Sequence, residues 1–361
     1  MKVLYDYSIF LNQARGGVSR VFNELIPRMI RCERVDCHVF AGFHKNAELA
    51  RLSKEFPDRI HGWHLPAKWA KWQIFHPVNA VLLAAFAQKF QPDICHYTFY
   101  ETTRLPTRTK TVITVHDLVY EHFTPHARQI GLRIQALKRV DAIACISQYT
   151  REDLLRFYPE TSALPMAVIY HGNSLCAPSS TVPPMHTGPY FLYVGGRWGY
   201  KNFSLVLEAF GKADFLKPFS LVCFGGAPFS PKEIADIARQ GLTERVVWVA
   251  GDDTALGVCY RDAAALIYPS KMEGFGLPPL EAMGGGCPVL ASSGPPMPEI
   301  IGDAGLFFDP LSVDELLAAM HRLLHEPGCR EMLVARGRER VGAFSWDKAA
   351  REYCDFYESL L

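Results

Sequence analysis

Two glutamates, Glu273 and Glu281, bracket Gly274, Phe275, Gly276, Leu277, Pro278, Pro279 and Leu280. Glycine lets the backbone approach a bound group closely, and the N–H groups at a helix start attract an anion. Pro278 and Pro279 fit a first helical turn, where a missing N–H costs nothing. The segment therefore offers bare N–H groups to an anion, with a carboxylate on each side. That suits a ligand with a diphosphate in its middle and hydroxyls at both ends, as in a nucleotide sugar. Glu281 falls in the expected first turn, where a carboxylate also suits the helix dipole, so helix stabilisation competes with ligand binding there. Glu273, in the preceding loop, has no such alternative.

Three further groups carry chemistry. Gly195 and Gly196 lead into Arg197, Trp198, Gly199, Tyr200, Lys201 and Asn202 after a strand. Arg197 and Lys201 bring two cations to a flexible loop; they suit a diphosphate, and Arg binds one bidentately. A solvated loop is the plainer reading. His116 and Asp117 end the run Val112 to Val115. There the His can hydrogen-bond a hydroxyl or carry a proton, and the Asp can orient it; a capped turn with a satisfied His is the plainer reading. Gly16, Gly17 and Val18 open a helix behind the first strand, a weak signal that also fits an ordinary turn. They do not form Gly-x-Gly-x-x-Gly, which argues against a dinucleotide fingerprint. Asp252 and Asp253 are adjacent acids in a polar turn, expected to meet solvent or a nucleotide base. The chain has no Asp-x-Asp, no Gly-x-Ser-x-Gly and no Walker loop, so neither metal nor cofactor is expected.

These groups need a scaffold. The chain has 361 residues, 49% apolar, which favours two packed domains over one. Short β-branched runs at 2–5, 36–41, 94–97, 111–114 and 142–146 alternate with helical patterns at 20–31, 78–90, 127–138 and 148–157. The alternation restarts with strands at 190–194, 219–224, 246–249, 264–268, 288–291 and 306–308, and helices at 203–210 and 231–240. Such alternation implies an α/β chain of two doubly wound domains. Gly172 to Pro189, rich in Ser and Pro, reads as the linker. The expected division is 1–180, 181–345 and a closing amphipathic helix from Trp346 to Leu361. Ligands of doubly wound sheets bind at the carboxyl ends of the strands, where the chemical groups above are placed.

Residues 1–183 hold 22 Lys and Arg against 15 Asp and Glu; the rest holds 16 against 22. A basic first half suits an anionic partner such as a membrane surface or a phosphorylated acceptor. Ten cysteines without Cys-x-x-Cys pairs, and a chain that opens directly on a strand, point to the cytoplasm. The longest apolar run, Ala80 to Ala87, has eight residues, far below the roughly 20 that span a bilayer. Trp63, Trp69 and Trp72, interleaved with Lys68 and Lys71, suit a membrane interface or a core-facing helix with a basic edge.

Together these motifs resemble the retaining GT-B glycosyltransferases of glycosyltransferase family four. The likeness rests on Gly16-Gly17-Val18, His116-Asp117-Leu118, Val194 to Arg197 with Lys201-Asn202, and above all the stretch Pro269 to Met283, which has the form of the family's E-x7-E signature. Phe344-Ser345-Trp346 before a closing helix is also typical. The resemblance implies two Rossmann-like domains facing across a cleft, with the closing helix returning to the first. It implies that Arg197 and Lys201 neutralise the donor diphosphate. Gly274, Phe275, Gly276 and Leu277 would hold phosphate and sugar, Glu273 the sugar hydroxyls and Glu281 the ribose. His116 would lie near the reacting centre, Gly17 and Gly196 at the diphosphate, and Val249 to Gly251 at the base. Gly16, Val18 and Asp117 would sit on the acceptor side. The chain departs from the commonest pattern at Gly284-Gly285-Gly286-Cys287 and at Pro295 to Glu299. Its motifs look most like mannosyl- and rhamnosyltransferases of surface-polysaccharide assembly. GDP-mannose is then the first expected donor, with dTDP-rhamnose, a UDP-hexose or a nucleotide-sugar epimerase as alternatives. The expected acceptor is a saccharide or lipid-linked saccharide, reached from the cytoplasm with peripheral contact to anionic membrane; no nucleic-acid partner is expected.

Overall fold

The computed structural model describes residues 1–361 except Arg104, Thr107, His126, Ala127 and 176–181. The first residue of the helix expected from Ala127, the middle of the expected linker and the expected 180/181 boundary lie outside the described residues. The chain forms two units, one of Met1–Gly172 with Ser345–Leu361 and one of Asn173–Phe344.

The first unit is a seven-stranded sheet of order β3-β2-β1-β4-β5-β6-β7. Its strands are β1 (Lys2–Tyr5), β2 (Asp36–His44), β3 (Ile60–His64), β4 (Ile94–Tyr97), β5 (Lys110–Val115), β6 (Ala142–Cys145) and β7 (Met166–Val168). The second is six-stranded, β10-β9-β8-β11-β12-β13. These are β8 (Tyr190–Val194), β9 (Ser220–Phe224), β10 (Val246–Val249), β11 (Leu266–Tyr268), β12 (Val289–Ser292) and β13 (Gly305–Phe308). All pairings are parallel. Parallel sheets are covered on both faces, so inner strands read as continuous apolar runs; β4, β6 and β12 are buried throughout.

Eleven strands answer to expected runs. Two strands carry too little signal to be read. β3 is an edge strand, Ile-His-Gly-Trp-His, with only Ile60 buried, and β7 has three half-buried residues. The segment 63–72 is also not a single helix: Trp63 lies on β3, and a helix begins only at Trp72, running to Phe90 through Pro77.

The closing helix, Trp346–Glu358, is capped by Ser345, whose hydroxyl accepts from the N–H of Asp347 and Lys348. Its buried face sends hydroxyls under the first sheet. Tyr357 meets Tyr5 Oη at 3.0 Å and His96 Nδ1, and Tyr353 meets Thr114 Oγ1 at 3.0 Å. Arg34 donates to Asp355 and Glu358 at its rim. This buried hydroxyl network explains why a helix so far along the chain belongs to the first unit.

In each sheet the order reverses beside its first strand, between β1 and β4 and between β8 and β11. A crevice opens outside the carboxyl ends of the strands at such a reversal. The loops after β8 and β11 therefore hold the position that the second sheet offers to a ligand.

Candidate active site

Lys201 leaves the loop after β8 and Glu273 the loop after β11. Lys201 Nζ donates to Glu273 Oε1 at 2.6 Å, with the side chains 19% and 12% exposed. The ammonium also lies over the rings of Tyr200 and Tyr268, at 5.2 and 6.0 Å. The two loops are tied by backbone as well, Lys271 N–H donating to Tyr200 O at 2.8 Å. Glu273 N–H donates to Pro295 O at 3.0 Å, bringing in the loop after β12. A cation and a carboxylate thus meet across the reversal point, in a low-dielectric setting where their field is strong.

Arg197, from the same loop as Lys201, is placed differently. Its guanidinium donates to Glu233 Oε1 at 2.6 Å and to the carbonyls of Gly225 and Ala227, and stacks over Phe229 at 4.7 Å. The side chain is 4% exposed. It braces three loops against one another, and engaging a diphosphate would require it to leave Glu233. Glu233 is itself held in a capping box with Ser230. The Ser-x-x-Glu spacing is legible as a cap; its second role as the Arg197 partner is not.

The glycine-rich turn ends in the helix Leu277–Gly284, with Pro278 and Pro279 in its first turn. Helix geometry leaves the first N–H groups without intrahelical acceptors; Pro278 and Pro279 have no N–H and Leu280 N–H donates to Gly276 O, so the N–H groups the turn can offer are those of Gly276 and Leu277. Gly276 adopts φ +104°, and a methyl there would lie 2.7 Å from Met297 Cε; no other residue fits without strain. Gly274 and Phe275 are buried, the Phe275 ring meeting Phe344 edge-on at 5.8 Å. Glu281 lies in the second turn, not the first, so the dipole reading does not hold. It is buried, and Tyr260 donates to its Oε2 at 3.1 Å. Tyr260, on the helix Asp253–Asp262, had no sequence signal because its partner lies on another helix.

The edge of the second sheet carries the remaining expected positions. Val249 ends β10 half-buried and Gly251 is exposed, where a methyl would press on Ala255 Cβ at 2.5 Å. Asp252 and Asp253 are exposed to solvent, and Asp252 also caps the next helix by accepting from Ala255 N–H at 3.0 Å. Gly196 is tight against Trp198: a methyl at Gly196 would lie 2.0 Å from the indole ring, and Trp198 itself is exposed.

In the first unit, a short helix Ser8–Asn12 separates β1 from the glycine pair. Gly16 is the N-cap and Gly17 the first residue of the helix Gly17–Arg31; Gly17 is exposed with open space above it, and Val18 is half-buried. His116, directly after β5, is buried, and its ring meets Phe22 of that helix at 5.7 Å. Its Nε2 has no hydrogen-bond partner in the structure. Burial, then the neighbouring Arg133, pushes its pKa down to about 3. His116 is therefore a neutral hydrogen-bonding group near pH 7 and not a proton donor. Asp117 accepts from Val119 N–H at 3.2 Å. Arg133, 1% exposed, backs this corner, donating to Glu121 at 2.5 Å and Tyr100 Oη at 2.7 Å, with Asp117 at 3.8 Å. Sequence reading missed Arg133, one of several cations in an otherwise ordinary helical pattern.

The chain resembles known proteins along most of its length. Residues 15–175 match the Glycosyltransferase Family 4 model and residues 182–340 the Glycosyl transferases group 1 model. The chain is 29% identical to O-antigen chain mannosyltransferase B of Escherichia coli over 95% of this chain and 96% of that one. It is 24% identical to O-antigen chain mannosyltransferase RfbU of Salmonella typhimurium over 69% and 66%. Among solved structures, sucrose-phosphate synthase from Thermosynechococcus elongatus superposes with a TM-score of 0.79 at 20% identity, covering 100% and 99% of the two chains. With one model on each half and GT-B structures as neighbours, the chain is a glycosyltransferase of the group 1 and family 4 type.

Proposed function

We propose that the protein is a retaining, metal-independent hexosyltransferase that moves mannose from GDP-mannose to a saccharide or lipid-linked saccharide in surface-polysaccharide assembly. The observation that carries this is the Lys201–Glu273 pair beside the start of the Leu277 helix, at the reversal point of the second sheet. Mannose as the sugar is supported by the relatives named mannosyltransferases.

In this reading the C1–O bond of the donor breaks with its electron pair going to the diphosphate. Lys201 and the N–H groups around Gly276 take up that charge, a preorganised electrostatic stabilisation of the leaving group. Glu273, released from Lys201 by the diphosphate, accepts from sugar hydroxyls, and Glu281 serves the ribose. The acceptor oxygen bonds to C1 on the face the diphosphate leaves, and its proton passes to the departing phosphate oxygen. His116 is neutral and supplies a hydrogen bond. The charge that a metal would neutralise falls to Lys201, consistent with the missing Asp-x-Asp. The reaction belongs at the cytoplasmic face of the membrane if the acceptor is lipid-linked.

Thermal-shift titration with GDP-, UDP- and dTDP-sugars tests the donor, since a bound ligand raises the melting temperature by mass action. GDP-mannose should give the largest rise, and the product with a mannoside acceptor should show the α-linkage by NMR. A rise confined to UDP or dTDP sugars would overturn the donor; conversion of donor without acceptor would make the protein an epimerase.

A further inference from the structure

We propose that the first unit docks on an anionic phospholipid surface through a face built from Trp63, Trp69 and the outer stripe of the helix Trp72–Phe90. Twelve large hydrophobic side chains stand exposed among the described residues, and five of them, Trp63, Trp69, Ile74, Val78 and Val81, fall in this one stretch. Trp63, Trp69 and Val81 are 58%, 64% and 71% exposed. The proposal rests on this surface alone and not on the transfer reaction.

The helix is apolar on two faces. Leu83 and Ala87 are buried, with Phe75, Leu82 and Phe86 packed on the core. Ile74, Val78, Val81 and Ala85 form the opposite stripe, at helical spacing and exposed. A helix apolar on two faces has a second face that meets something other than water. Trp63 is tied to the same helix from its core-facing side. Its ring stacks on Phe43 at 5.2 Å, and Phe43 lies 5.1 Å from Phe75.

Charge chooses the occupant. Lys68 and Lys71 are both exposed at the edge of the stripe, and Lys68 Nζ lies 5.7 Å from the centre of the Trp69 ring. No Asp or Glu occurs between Asp58 and Asp93. A symmetric dimer through this face would set the patch against itself, lysine near lysine with no acid to answer. An anionic lipid surface answers both features. Tryptophan settles at the headgroup level, and each lysine near such a surface adds electrostatic attraction. No helix of the described residues is long and apolar enough to cross a membrane, so this one lies along the surface.

The test is flotation of the full chain with vesicles of phosphatidylcholine alone and of phosphatidylcholine with phosphatidylglycerol. The protein should float with the anionic vesicles, and less as salt rises. The double variant Trp69→Ser with Val81→Asp should bind at least about tenfold more weakly, a loss of about 1.4 kcal/mol, and Lys68→Glu with Lys71→Glu should remove the preference for anionic lipid. Circular dichroism should show both variants folded, and their thermal shift with nucleotide sugar should match the parent. No flotation of the parent, equal binding to neutral vesicles, or unchanged binding by a folded apolar-stripe variant would each overturn the proposal. So would a parent dimer in light scattering that the stripe variant dissolves without any lipid binding, since a second copy would then own the face.

Discussion

Arg197 and Lys201 sit on one loop, carry one charge each and look interchangeable in the sequence. Their surroundings assign them different roles. Arg197→Ala removes a guanidinium that is 4% exposed and serves Glu233, two carbonyls and a phenyl ring. Breaking a buried pair from one side costs about 3–5 kcal/mol. Glu233 is 21% exposed and keeps its Ser230 bonds, so the lower end, about 3 kcal/mol, applies. For a unit of this size that lowers the melting temperature by roughly 6–12 °C. Lys201→Met keeps the aliphatic stem over the tyrosine rings and loses only the ammonium. Glu273, 12% exposed, is then left without its cation, so the cost in stability is also about 3 kcal/mol. Its cost in turnover is that of a lost charge-stabilising donor, about 10²–10³-fold. Calorimetry on both variants, together with release of nucleoside diphosphate from the donor identified by thermal shift, separates the two. A stable but inactive Arg197→Ala would show that the guanidinium swings away from Glu233 to the diphosphate and refute the assignment. Lys201→Met within tenfold of the parent would remove Lys201 from the charge-stabilising role.

Other substitutions probe the supports. Gly276→Ala should destabilise by about 1–3 kcal/mol, the cost of a side chain at an unfavourable positive φ, read in urea unfolding, with donor affinity falling in parallel. Arg133→Met leaves Glu121 and Tyr100 buried without their cation and should cost about 3–5 kcal/mol; its reflection in activity should be a raised sensitivity of turnover to temperature. His116 has a folded pKa near 3 against 6.5 exposed. Its depressed value contributes stability that is present above pH 6.5 and is lost as pH falls toward 3. At pH 5 the difference is about 1.5 pH units, or roughly 2 kcal/mol. His116→Asn should therefore lose about 2 kcal/mol less than the parent between pH 7 and pH 5, measured by urea unfolding at both values.

Strands and loops were legible in the sequence to different degrees, for physical reasons. Interior strands such as Ile94–Tyr97 and Tyr190–Val194 announce themselves because both faces are covered and nearly every residue is apolar, with the hydrogen-bonded His96 as the exception. The edge strand Ile60–His64 has one buried residue and so no pattern to read. Pro77 hid the first turn of the helix Trp72–Phe90, since a proline within a pattern usually marks a boundary. The chemical residues were findable because they sit at strand ends, where spacing to a strand is short. Their partners were not: Glu233 lies 36 positions from Arg197, Glu273 72 from Lys201 and Tyr260 21 from Glu281. Those distances are set by strand order, and strand order comes from topology rather than from any local run.

The two glutamates that frame the glycine-rich turn are therefore not equivalent acids. Glu273 is loop-borne and balanced by one ammonium; in the proposed reaction an incoming diphosphate would compete for that ammonium and free the carboxylate for hydroxyls. Glu281 is buried, one turn into a helix, and already holds the Tyr260 hydroxyl. A carboxylate so placed changes partner only by exchanging one hydroxyl for another, which a ribose provides. Tyr260→Phe should separate these demands. Stability should fall by about 1–3 kcal/mol because Glu281 loses a buried donor, while binding of a nucleotide with intact ribose should add back part of the loss and its 2′,3′-dideoxy analogue should not. Equal thermal stabilisation by both nucleotides would place Glu281 in the helix core alone and leave Glu273 as the one acid that meets the ligand.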